Sequence, residues 1–155
     1  MSLPLQIIAT GTNRQLPIIT YTKATAAQLK NLVGSPLVLI PAQGTNTVIV
    51  PKSFAARFSY GGTSPFTGPG LLAVKYNNFM SSSIFPTIMS NAVMTGTADA
   101  FSISGYLQTS NENLASGLIN NTSVVLWNPI NNFGGNAAND NVLYIQICYW
   151  VATLQ

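Results

Sequence analysis

Few residues in this chain have the types and spacing that chemistry requires. There is no histidine, which removes the Ser-His-Asp triad, the Cys-His pair and every histidine-based metal site in one step. Cys148 is the single cysteine. It sits in the apolar run Tyr144-Ile-Gln-Ile-Cys-Tyr-Trp-Val151, has no partner at metal-ligand spacing, and reads as a buried, inert thiol that forms no intrachain disulfide. A glycosidase needs two carboxylates flanking one bond. The only carboxylic side chains are Asp99, Glu112 and Asp140, all in Asn/Ser/Gly-rich surroundings that suit solvated loops. No catalytic residue, metal ligand or cofactor site is expected.

Three loop features invite a binding reading. Gly61-Gly-Thr-Ser-Pro-Phe-Thr-Gly-Pro-Gly70 is glycine-rich, but it lacks the Gly-Lys-Ser/Thr ending of a phosphate loop and joins two strands instead of opening a helix. Its Phe66, at the expected tip, has two readings: an anchor for a partner's pocket, or a ring folded back onto the chain's own core. Asn139-Asp-Asn141 has oxygen ligands to offer Ca²⁺ but lacks the EF-hand pattern, and turn chemistry is the expectation. Asn120-Asn-Thr122 and Asn121-Thr-Ser123 match the glycosylation pattern, as an Asn-rich chain does by chance.

Recognition is better supported by the composition. Charged residues make up 6% of the 155, against about 25% in an average soluble domain. Polarity comes instead from 16 Asn, 15 Thr and 14 Ser. Amides and hydroxyls are cheaper to desolvate than unpaired charges, so such a surface suits burial against other protein. The six cations, Arg14, Lys23, Lys30, Lys52, Arg57 and Lys75, show no cluster along the chain. The pI near 9.2 reflects scarce acids, and nucleic acid is not an expected partner. Met1 to Thr12 lacks the basic start of a signal peptide and is broken by Pro4. No apolar stretch reaches the roughly 18 residues of a membrane span, despite a mean hydropathy of +0.31.

The elements that must position these residues are mostly strands. Residues 1–17 read as an N-terminal arm and 18–155 as a single β-sandwich domain. Ile18 to Thr22 is β-branched and strand-like. Thr25 and Gln28 have capping-box spacing, Leu29, Leu32 and Val33 share a helical face, and Gly34 closes a helix expected over 26–33. Thr47 to Val50 reads as a strand interrupted by Pro51. In Ser53 to Tyr60, Phe54, Ala56, Phe58 and Tyr60 alternate with Ala55, Arg57 and Ser59, the period of a half-buried strand. Phe101 and Ile103 alternate with Ser102 and Ser104 in another. Pro86 argues against a central strand over Ile84 to Ala92, and Asn111 to Asn121 has room for a helical turn near Glu112. Asn141 to Ala152 is apolar on both faces, as a central strand should be. The sum is an all-β fold, a β-sandwich or jelly roll of about eight strands with one short helix.

Val48-Ile-Val-Pro51, Tyr60-Gly-Gly-Thr63, Leu71-Leu-Ala-Val-Lys-Tyr76, Val124-Val-Leu-Trp-Asn128 and Val142-Leu-Tyr-Ile-Gln-Ile-Cys-Tyr-Trp150 together resemble the head decoration, or cement, proteins of tailed bacteriophages. The resemblance runs from about Ile18 to Ala152. It implies a sandwich or jelly-roll body, often trimeric, on the capsid surface of a virion assembled in the bacterial cytoplasm. The implied partners are the major capsid protein and further copies of the chain, with no catalytic residues, nucleic acid or membrane. Candidate interface residues are Leu3, Leu5, Ile7 and Ile8 in the arm, Arg57, and Phe66. Two rival readings stand beside it: a tail or fibre component with Trp127 or Tyr106 stacking on sugar, and a minor hydrolase whose site the sequence does not display.

Overall fold

A computed structural model describes residues 16–77, 87–104 and 119–154. The elements are β1 (Ile18–Thr25), α1 (Ala26–Leu29), β2 (Leu37–Ile40), β3 (Thr47–Ser59), β4 (Phe66–Thr67), β5 (Leu72–Tyr76), β6 (Thr87–Met89), α2 (Asn91–Met94), β7 (Ala100–Ser104), β8 (Val124–Trp127), β9 (Gly134–Gly135) and β10 (Val142–Thr153). Eight of the strands form two four-stranded sheets, ordered β1-β10-β3-β7 and β2-β8-β5-β6, while β4 and β9 make a small ribbon. All pairings are antiparallel. The chain passes repeatedly from one sheet to the other, so most sequence neighbours are not hydrogen-bonded neighbours. That is the eight-stranded jelly roll, one of the two architectures expected from the strand pattern.

Period-two alternation builds the core. From the first sheet, Phe54, Ala56, Phe58, Leu143, Ile145, Ile147 and Tyr149 point inward. Ile40, Leu72, Val74, Tyr76, Val124 and Leu126 of the second sheet join them in one buried cluster. The Tyr76 hydroxyl donates to the Ile49 carbonyl, and burial pushes its pKa up to about 12. β10 lies between β1 and β3, the central position anticipated for it.

Three local expectations need correction. Pro51 does not interrupt: β3 runs through it for 13 residues. Among the described residues β7 pairs with Phe54 to Phe58, and beside Pro51 the pairing with β10 shifts register, between Cys148 and Tyr149. A proline is tolerated at such a bulge. The helix carries its capping box, with Thr25 and Gln28 bonded reciprocally, but stops at Leu29. The Val33 N–H donates to Asn132 Oδ1 at 2.8 Å instead of continuing the helical ladder, and Val33 is exposed while Leu29 and Leu32 are buried.

The third concerns the Gly61–Gly70 loop, which is bound to its own fold. Gly61 N donates to Asn141 Oδ1 at 2.9 Å and Gly70 N to Asn91 Oδ1 at 3.1 Å. Asn136 and Asn141 both donate side-chain N–H groups to the Ser64 carbonyl, at 2.8 and 3.1 Å. A Cβ on Gly61 would lie 2.2 Å from Asp140 Cγ, so only glycine fits there. Phe66 is 1% exposed, with ring centroids 6.2 Å from Phe58 and 5.5 Å from Phe133. Of its two readings, the ring on its own core is the one the fold adopts.

Candidate functional site

The register of the first sheet gathers side chains that lie far apart in sequence. Antiparallel partners share a face, and Lys23, Tyr144, Arg57 and Phe101 form one row across β1, β10, β3 and β7. Tyr21, Gln146, Ala55 and Ile103 form the next. Both rows point away from the core, because the residues that alternate with them, Ala56, Phe58, Leu143 and Ile145, are buried.

This outward face is apolar and open. Tyr21 is 73% exposed, Phe101 72% and Ile103 80%, with Ile19 and Tyr144 also exposed. The second sheet differs: on its outward side Ala73, Lys75 and Val125 are buried, and Val38, paired with Val125, is exposed at the end of the row. The two faces of the jelly roll are therefore unlike, and one of them leaves a contiguous apolar surface in water. Such surfaces on soluble proteins mark places where something else binds.

The face is not flat. Ala55 is the smallest side chain in its row, and around it stand Tyr21, Tyr144, Arg57 and Phe101, forming a groove of about 370 Å³. Arg57 donates to Asp99 Oδ2 at 2.9 Å, and its guanidinium lies 5.9 Å from the centre of the Phe101 ring. The Tyr60 N–H also donates to Asp99. The bond from Arg57, followed by that from Tyr60, holds the Asp99 carboxyl below the usual carboxylate range. Further along the same side Lys52 Nζ sits 4.2 Å above the Trp150 ring. The groove offers aromatic walls, the Gln146 amide and cationic groups. It suits a large apolar side chain with polar neighbours, and it supplies no acid–base pair.

Of the residues singled out from sequence, Arg57 lies on this face and Phe66 does not. Leu3, Leu5, Ile7, Ile8, Tyr106 and Glu112 lie outside the described residues. Trp127 is half-buried, with Lys75 Nζ 4.2 Å from its ring centre, so that face of the ring is covered. Burial lowers the pKa of Lys75. Asp140 accepts from Asn136 Nδ2 at 2.6 Å, and hydrogen bonds from Thr63 and Asn136 keep its carboxyl below the usual range. This is the turn chemistry anticipated for Asn139-Asp-Asn141. Sequence reasoning missed Tyr21, Ala55, Ile103 and Tyr144. Ile19-Thr-Tyr21 and Phe101-Ser-Ile103 show that one side of each strand is apolar, but only the register shows that it is the outer side.

No protein-family model and no curated protein matches the chain. Among solved structures it is similar to a chain in the acid-stable capsid of Helicobacter pylori bacteriophage KHP30, at 14% identity and a TM-score of 0.43, covering 91% of this chain and 94% of that one. It is similar to a chain of the full Israeli acute paralysis virus particle heated to 63 degrees, at 12% identity and a TM-score of 0.30, covering 90% and 74%. A chain of the empty Kashmir bee virus particle at acidic pH is similar at 15% identity and a TM-score of 0.28, covering 93% and 96%.

Proposed function

We propose that this protein is a non-enzymatic structural component of a virion, a decoration protein that stabilises a phage head by bridging major capsid subunits. The observation that carries this reading is the open apolar face of the first sheet, set on a jelly roll whose other sheet buries Ala73, Lys75 and Val125 on its outward side. Jelly rolls serve in viral capsids and in lectins. Surface composition separates these uses here. With 6% charged residues, little desolvation opposes burial of large areas against protein. The rival tail or fibre reading stacks a sugar on Trp127 or Tyr106. Trp127 lies beneath Lys75, and Asp99, the carboxylate bonded to Arg57 beside the groove, is already engaged.

The mechanism is mechanical. Each copy holds neighbouring shell subunits together, and symmetry multiplies contacts that are individually modest. Copies of the chain associate as a homo-oligomer, a trimer matching a threefold shell position. Particles from which the gene has been deleted test this. They should lose their genomes at lower temperature than intact particles and regain resistance when purified protein is added back. Equal heat resistance with and without the protein would contradict a stabilising role.

A further inference from the structure

Resting on that reading, we infer that the groove around Ala55 docks a different protein, one that presents a large apolar side chain flanked by carboxylates, and not a second copy of this chain. The charge pattern of the face selects this occupant. Along the sequence the cations form no cluster, yet the fold places Lys23 and Arg57 in one row on the outward side of the sheet, both lining the groove. Asp99, bonded to Arg57, is the one carboxylate beside Lys23 and Arg57 among the described residues, so the two cations flanking the groove meet one anion. Lys23 and Arg57 sit two strands apart in the same row, about 10 Å from each other, with Tyr144 between them. A partner whose apolar side chain enters beside Ala55 can therefore bring carboxylates to both flanks.

A second copy is poorly matched to this demand. Face to face, it would set the same cations against each other, and like charges across an interface are costly. It has few acids to offer: of the three carboxylates in the chain, Asp99 bonds to Arg57 and Asp140 to Asn136 within their own fold. The matching negative surface must come from another protein. Self-association then uses surfaces other than this one.

Binding of purified protein to gene-deleted particles, measured across a salt series, tests the assignment. Ala55→Trp fills the groove floor from outside the core, and it should weaken binding at least about tenfold, as blocking a central anchor site does. Its melting temperature and its oligomeric state by light scattering should match the wild type. Lys23→Glu should weaken binding at low salt, and the difference should shrink as salt screens the pair. Ala55→Trp that binds normally overturns the groove as the docking site. Lys23→Glu without effect, or binding that ignores salt, overturns the acidic partner. Loss of self-association in Ala55→Trp assigns the face to a second copy and overturns the proposal while leaving the virion role intact. Wild-type protein that fails to bind the particles at any salt overturns both.

Discussion

Phe66 is 1% exposed and packs between Phe58 and Phe133, at ring-centroid distances of 6.2 and 5.5 Å. Phe66→Ala therefore empties a closed aromatic site. Such truncations cost about 3–5 kcal/mol, from lost transfer energy plus the cavity left behind. The ribbon that carries Phe66 pairs only two residues with β9, which leaves room for partial collapse, so about 3.5 kcal/mol is the expected value. At roughly 3 °C per kcal/mol for a domain of this size, the melting temperature should fall by about 10 °C. The assay is thermal unfolding followed by near-ultraviolet circular dichroism, with particle binding measured on the same variant well below its midpoint. Stability should fall while binding of the folded fraction stays unchanged. An unchanged melting temperature with binding lost would show that the ring serves a partner and would refute the packing described here.

Other perturbations have equally definite outcomes. Phe101→Ser with Ile103→Thr removes two residues that are 72% and 80% exposed, so stability should change by no more than about 0.5 kcal/mol while particle binding weakens. A large loss of stability would mean that this side of β7 is covered within the chain. Gly61→Ala would place a Cβ 2.2 Å from Asp140 Cγ and should destabilise by about 1–3 kcal/mol, read from denaturant midpoints. Asp99 and Asp140 both have lowered pKa values in the fold, so their contribution is present above the unfolded carboxylate range, near pH 4, and is lost as pH falls through their folded values. With no histidine in the chain, the melting temperature should stay flat between about pH 5 and 7 and drop in acid. A transition near pH 6 would contradict this.

Local chemistry was legible in the sequence where it decides structure by itself. The capping box at Thr25 and Gln28 is present in the fold, and the doubly apolar run from Val142 onward forms the central strand β10. Features set by distant partners were not legible. The helix ends early, with the Asn31 N–H turning back to the Gln28 carbonyl, and Asn132, 99 positions away, takes the Val33 N–H beyond it. The two readings of Phe66 stayed open because the partners that hold its loop, Asn91, Asn136 and Asn141, are remote in sequence. Some of the asparagine abundance that suggested an adaptable surface also has a local cause: Asn46, Asn121, Asn136 and Asn139 adopt positive φ, a conformation that asparagine tolerates better than most residues. The outward apolar face escaped notice for the same reason. Period-two alternation identifies β1 and β7 as two-sided strands, but their apolar sides point away from the core. That becomes visible only once Tyr21, Ala55, Phe101 and Tyr144 are brought together by register.

Quantitative mass spectrometry of purified particles tests the proposed role most directly. A decoration protein that bridges shell subunits must occupy symmetry-related positions over the whole head, so its copy number should be a fixed, simple fraction of the major capsid protein's. Absence from washed particles, or a handful of copies regardless of shell size, would contradict a structural role in the head.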